Sequence, residues 1–493
     1  MQERAPTGID GLDHVLMGGL PRNRLYLIEG DPGVGKTTIA LQFLLAGLAA
    51  GERTLYVTLS ETKDEIDAVA RSHGWSLDGV AMFELSALEQ LLTIDAENTI
   101  FRSSDVELGE ITQVLQRRID EVMPDRLVFD SLSELRLLSQ NALRYRREVL
   151  SLKTFFSTKK CTVLLLDDRT SEPSDQQLQS IAHGVITVEQ LAPEYGGDRR
   201  RLRIAKLRGA PFRSGYHDVT IETGGVQVYP RLVAAEHKGE FQRTALPSGL
   251  AELDALLGGG VDRGTSTLVL GNAGTGKSSV VLQYACAVAA RGERAAIFAF
   301  DELRATATHR AEALGLNIRE HLDSGRVRIQ QIDPAELSPG QLSHLIMDLT
   351  EREGFTFIAI DTLNGYLHSM PSEHHLYLQL HELLSYLGQR GVTTMMVLAQ
   401  SGAIREMQSP VDISYIADNV LLLRFFEAQG RIRKAISVVK KRTGRHEDTI
   451  RELSLDSTGL HVGAPLVAFQ GVLTGVPVYH GHAIELEQDG QVE

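Results

Sequence analysis

The sequence predicts an α/β protein of two tandem domains, each a doubly wound, mainly parallel sheet with an antiparallel extension at one edge. Three observations carry that expectation. A glycine-rich G-x-x-x-x-G-K-[ST] segment occurs twice, at residues 30–37 and 271–278. Each copy lies between an apolar strand and an apolar helix, the context that gives the pattern its meaning. The flanking elements then recur in the same order about 240 residues further on, roughly the length of one large domain.

In chain order, Leu25-Tyr26-Leu27-Ile28 reads as the strand before the first loop and 38–48 as the helix after it; 266–270 and 279–290 are the counterparts in the second half. Glycines let such a loop curl so that its N–H groups converge on phosphate oxygens, and the helix start adds partial positive charge. The candidate nucleotide ligands are therefore Gly30, Gly33, Gly35, Lys36, Thr37 and Thr38, and in the second copy Gly271, Gly274, Thr275, Gly276, Lys277, Ser278 and Ser279. Lys36 and Lys277 would reach the terminal phosphates of ATP, and the Thr37 and Ser278 hydroxyls would meet Mg²⁺.

The strand after each first helix ends in carboxylate: Ser60-Glu61 in copy one, Asp301-Glu302 in copy two. Strand ends of a parallel sheet face the ligand, so Glu61, Asp301 and Glu302 are candidates to polarise an attacking group. A later apolar strand closes on Asp130 in copy one and Asp361 in copy two, placed to order a metal ion and its waters. Each half continues with a helix (144–156; 374–388), a strand (161–166; 394–399) and paired β segments ending at 202–208 and 435–442. Alternating strands and helices require a parallel sheet, and the late β segments supply the antiparallel edge.

Domains at 1–230 and 244–493, with a polar linker at 231–243, suit a chain of 493 residues. A hydrophobic content of 43% against 23% charged residues gives each half material for a core. No run of 18 apolar residues is long enough to span a membrane, and residues 1–6 carry no apolar leader, so a cytoplasmic location is expected. Cys161 and Cys286 sit in apolar surroundings and read as buried free thiols. His368, His374, His375 and His381 read as a solvated loop and helix start, without the spacing of a zinc site. A net charge of −14 opposes a surface that coats nucleic acid. The basic runs at 199–201 and 440–442 therefore need another use.

These motifs, together with Thr7-Gly8, Gly18-Gly19-Leu20-Pro21, Ala70-Arg71-Ser72-His73-Gly74-Trp75, Lys206-Leu207-Arg208-Gly209 and Ile450-Arg451-Glu452, resemble the KaiC family of two-domain RecA-like ATPases over nearly the whole chain. The resemblance implies a double-ring homohexamer with ATP between subunits, slow hydrolysis in the N-terminal ring and Ser/Thr-type autophosphorylation in the C-terminal ring. It also implies that Lys206, Leu207 and Arg208, and Lys440, Lys441 and Arg442, serve the neighbour's nucleotide. Ser414 aligns with an acceptor serine, and Tyr415 stands where a threonine is usual. Ser60 replaces the first of a pair of glutamates, which leaves hydrolysis in copy one to Glu61. The segment 167–184 is shorter than the family loop that docks KaiB, and the C-terminal tail is shorter than the one KaiA engages. A KaiA-type partner is thus not expected; a KaiB-like or signalling protein remains, in an hourglass timer or switch. Two other readings compete: a DNA-dependent RecA/RadA-like motor, opposed by the charge and by the lack of base-stacking aromatics among basic residues, and a nucleotide-gated scaffold with little turnover.

Overall fold

The computed structural model describes residues 3–84, 104–139, 142–169, 175–193, 196–333, 335–368, 376–400, 415–473 and 478–479. Ser414, His374, His375 and the tail from residue 480 lie outside the described residues. The chain divides into two compact units, Met1–Arg231 and Leu232–Glu493. Leu232 and Ala234, in the stretch read as a linker, are buried in the core of the second unit, and the Ala234 N–H donates to Glu382 Oε2 at 2.9 Å.

The first unit holds a sheet of nine strands: β1 (Leu25–Gly30), β2 (Thr54–Thr58), β3 (Ala81–Glu84), β4 (Arg126–Asp130), β5 (Thr162–Asp168), β6 (Gly184–Leu191), β7 (Arg199–Leu207), β8 (His217–Glu222) and β9 (Gly225–Tyr229). Their order is β9-β8-β7-β6-β1-β5-β4-β2-β3. The six strands from β6 to β3 run parallel, and β7, β8 and β9 continue the sheet antiparallel. The second unit repeats this with β10 (Ser266–Gly271), β11 (Arg294–Ala299), β12 (Val327–Gln331), β13 (Phe355–Asp361), β14 (Thr393–Ala399), β15 (Asn419–Ala428), β16 (Arg431–Lys441), β17 (Arg451–Asp456) and β18 (Gly459–Pro465), in the order β12-β11-β13-β14-β10-β15-β16-β17-β18. The predicted fold class is the one observed, and the two sheets match strand for strand.

The central strands are mostly apolar because both faces are covered. Tyr26, Ile28, Tyr56, Val128 and Leu164 join one core, while Leu25, Leu27, Leu55, Val57, Leu127 and Phe129 join the core on the other face. That is the period of two expected of strands buried on both sides. One buried polar group anchors the first core. Arg126, at the start of β4, is fully buried; it donates to Glu52, to Pro6 O at 2.6 Å and to Phe43 O at 2.8 Å, and lies 4.7 Å from the Phe43 ring centroid. Trp75, after the helix Lys63–Ser72, packs over Gly225, where a Cβ would come within 2.5 Å of the indole.

His217 at the start of β8 is a second buried polar anchor. Its Nδ1 accepts the Arg231 N–H at 2.9 Å, so Nε2 carries the proton and donates to Arg213 O at 3.1 Å. Burial, followed by the nearby Arg231, Arg213 and His14, pushes the imidazole down to about 4, partly offset by the bond to the Arg213 carbonyl. The unfolded chain takes up this proton near the ordinary value of about 6.5, so the neutral ring favours folding above that pH. The contribution, about 3 kcal/mol, is expected to disappear as pH falls from about 6.5 through 4. Denaturant titrations of wild type and His217→Gln across that range test this. The wild-type curve should steepen relative to the variant, and parallel curves would exclude His217 as the cause.

Candidate functional site

Both glycine loops sit at the C-terminal ends of their central strands, β1 and β10, and open directly into the helices Lys36–Ala49 and Lys277–Ala290. Gly35 and Gly276 precede those helices at φ near +100°, a conformation side chains rarely adopt. A Cβ on Gly35 would also lie 2.6 Å from Ile221, and one on Gly276 3.1 Å from Leu455. The antiparallel edge of each sheet therefore floors the loop.

The lysines and hydroxyls converge as the motif requires. Lys36 Nζ donates to Gly30 O (2.8 Å) and Asp31 O (2.9 Å) and pairs with Asp168 Oδ1 at 2.8 Å. Lys277 Nζ donates to Asn272 O at 2.7 Å, and burial pulls its ammonium down to about 8. Thr37 Oγ1 donates to Asp130 Oδ2 and Ser278 Oγ to Asp361 Oδ1, both at 3.1 Å. Burial raises both carboxyls above the ordinary range, and in each the hydroxyl bond offsets part of the effect. The peptide bonds after these aspartates, to Ser131 and Thr362, are both cis. A hydroxyl beside one carboxylate, with phosphate oxygens completing the shell, is a set of hard oxygens that fits Mg²⁺. Among the described residues no group of three His, Cys, Asp or Glu side chains could hold a metal.

The strand-end carboxylates are held differently in the two units. In the first, Thr58 Oγ1 accepts the Glu61 N–H at 2.9 Å and donates to Glu61 O at 2.9 Å, which fixes the backbone of the turn. The Glu61 side chain has no hydrogen bond or ion pair among the described residues; burial, then Asp130 and Glu65, raise its carboxyl. In the second, Glu302 Oε1 is paired with Arg310 Nη1 at 2.6 Å, and Asp301 accepts from the Thr362 hydroxyl. The register β2–β4 against β11–β13 matches Thr58 with Ala299 and Tyr56 with Ile297.

The basic residues of β7 and β16 lie at the other end of the sheets. Lys206 pairs in register with Val185 and Lys440 with Val420, near the strand starts and away from the loop of the same unit. Lys206 Nζ donates to Gln179 O at 2.5 Å and Arg208 Nη2 to Ser180 O at 2.9 Å. Lys440 Nζ donates to Ala417 O at 2.7 Å and Arg442 Nη2 to Tyr415 O at 2.6 Å. Counting back from the paired strands, Ser180 corresponds to Tyr415 and Gln179 to Ser414, so the arginine–carbonyl bond is the same in both units. Tyr415 is 59% exposed, and Asp418 beside it accepts from the Ser266 N–H at 2.9 Å. Lys441 and Leu207 point inward: Lys441 Nζ is bonded to Leu257 O at 2.5 Å and lies 3.5 Å from Asp262. Tyr56, Asp168 and Arg310 were not singled out from the sequence. Glu302 precedes the helix Arg304–Ala313 that carries Arg310, so no helical spacing pointed to the pair.

A family model described as ATPase: KaiC matches residues 5–233 and again 246–466. The chain belongs to the KaiC family. Among similar proteins, the circadian clock protein KaiC3 of Synechocystis sp. is 27% identical, with 97% of this chain and 95% of that protein covered. The circadian clock oscillator protein KaiC of Thermostichus vulcanus is 28% identical, with 96% and 92% covered; that of a Nostoc species is 26% identical, with 96% and 92% covered. This KaiC-family chain is thus an ATP-binding protein and an ATPase by family, with its phosphate loops on two RecA-like sheets. No helix among the described residues is long and apolar enough to cross a membrane.

Proposed function

We propose that this chain assembles as a homohexamer with ATP and Mg²⁺ at subunit contacts, hydrolyses ATP slowly in its N-terminal domain and phosphorylates itself at Ser414 in its C-terminal domain. Such a molecule serves as a timer or signalling switch. The observation that carries the reading is the difference between two sites of the same architecture. Glu61 stands beside Asp130 with its carboxylate uncommitted among the described residues, as a proton acceptor or water-orienting group requires. Glu302 is ion-paired to Arg310, which disfavours water activation and leaves the second site to hold its nucleotide for transfer.

The acceptor position supports the same division. Gln179 in the first domain has no hydroxyl, whereas Ser414 at the matched position of the second does. Tyr415, Lys440 and Arg442 lie together at the strand starts, the end of the sheet opposite the loop. Cations on that edge, next to Tyr415, the residue that follows the proposed acceptor in sequence, suit the nucleotide of a neighbouring subunit, where added positive charge stabilises the transferring phosphoryl group. On this reading Mg²⁺ neutralises phosphate charge when bound, Thr37 with Asp130 and Ser278 with Asp361 hold it, and Lys36 and Lys277 orient the phosphates.

Incubation with Mg-ATP followed by phosphopeptide mapping should find phosphate on Ser414 in wild type and none in Lys277→Ala or Ser414→Ala. Phosphate confined to Tyr415 would move the acceptor by one residue, and phosphate at neither would remove the kinase from the proposal. Native mass spectrometry of the same samples reports whether six chains assemble.

A further inference from the structure

The strand β2 carries a tyrosine that the nucleotide chemistry described above does not use. Tyr56 is fully buried, yet its hydroxyl reaches sideways from β2 to the end of β4 and donates to Asp130 Oδ2 at 2.5 Å. The same oxygen accepts from Thr37 Oγ1 at 3.1 Å. The phenol thus stands where the loop hydroxyl, the acidic strand and the field of Glu61 meet. The second domain is an internal control. At the matched position Ile297 offers no donor, and Asp361 is held by the Ser278 hydroxyl.

We propose that Tyr56 is a positioning residue for Asp130: its buried hydroxyl pins the carboxylate by Oδ2 and fixes its orientation, so that the first site would hold its metal–nucleotide complex more tightly than it would without the phenol. This rests on the reading of Asp130 as the metal-associated carboxylate. A buried phenol is suited to the task. It costs little conformational entropy once packed, it donates a single short bond, and burial leaves the hydroxyl no competing water. Outer donors that orient a metal carboxylate set affinity by about 10- to 100-fold.

The test is direct Mn²⁺ binding, followed by electron paramagnetic resonance, to the full chain saturated with a non-hydrolysable ATP analogue. A Lys277→Ala background confines nucleotide to the first site. Tyr56→Phe removes only the hydroxyl and is expected to weaken Mn²⁺ binding about tenfold, with the unfolding temperature recorded in parallel. Tyr56→Ile installs the side chain that the second domain accommodates at this place, and the same loss is expected, so the outcome does not hang on one variant. Unchanged Mn²⁺ affinity in a folded variant overturns the proposal, because a packing role would alter stability and leave the metal untouched. Asp130→Asn separates the two levels. If it leaves Mn²⁺ binding intact, the reading of Asp130 itself fails; if it abolishes binding while Tyr56→Phe does not, only the role of Tyr56 fails.

Discussion

Glu61→Gln is expected to slow ATP hydrolysis by the N-terminal domain by about 100-fold or more, with nucleotide binding unchanged. Groups that assist proton movement in a transition state contribute about 10²–10⁴-fold, and the amide keeps the size of the side chain while removing its basicity. Binding is expected to be preserved because the proposed phosphate contacts lie on the loop and Lys36, not on Glu61. The measurement is steady-state phosphate release in the Lys277→Ala background, paired with nucleotide titration. Glu302→Gln in an otherwise wild-type chain should change total hydrolysis far less, since that carboxylate is already tied to Arg310. Equal losses from the two substitutions, or a loss confined to Glu302, would falsify the assignment of hydrolysis to the first domain.

The second large effect concerns stability. Arg126→Ala should destabilise the first domain by about 3–5 kcal/mol, the usual cost of breaking a buried ion pair from one side. Three acceptors lose a donor, Glu52 Oε2, Pro6 O and Phe43 O, while Glu52 Oε1 keeps its bond from Arg22. Although burial disfavours its charge, the bonds from Arg126 and Arg22 hold the Glu52 carboxyl below the ordinary range, and after the substitution only Arg22 is left to hold that charge. The guanidinium also leaves a void against Gly47 and the Phe43 ring. Replacing both Arg126 and Glu52 with apolar groups, as in Arg126→Met with Glu52→Leu, should recover most of the loss, because the penalty lies in the half-paired carboxylate and Arg22, a quarter exposed, can be solvated. The second domain already uses the apolar solution, with Phe357 at the matched place in β13. Chemical denaturation of the three proteins decides it. A double variant as unstable as the single one would mean that packing, and not the stranded carboxylate, dominates.

Much of the fold was legible because parallel strands covered on both faces are apolar and loops with fixed glycine spacing are rare. The strands ending at Gly30, Asp130, Gly271 and Asp361, and the convergence of Thr37 with Asp130 and of Ser278 with Asp361, follow from those two facts. What lay hidden depends on which way a side chain points across strands. Arg126 is only the first residue of an apolar strand in the sequence; its partners Glu52 and Phe43, distant in sequence, make its burial tolerable. Tyr56 reads as one more apolar strand residue, because the reach of its hydroxyl to β4 is a matter of register. Lys440, Lys441 and Arg442 look like one basic run, yet strand alternation sends Lys441 inward and its neighbours to the edge. That Leu232 and Ala234 belong to the second unit was not legible, because a single turn, Ala234–Glu236, carries too little periodicity to be read.

The chain's one tryptophan gives the two-domain design an optical handle. Trp75 packs on Gly225 and beside Gln42 of the helix that leaves the first phosphate loop, all within the first unit. Indole emission therefore follows the N-terminal domain alone, while circular dichroism sums both. Superimposed, the two signals separate losses confined to one half of the molecule from cooperative melting of the whole, without label or truncation.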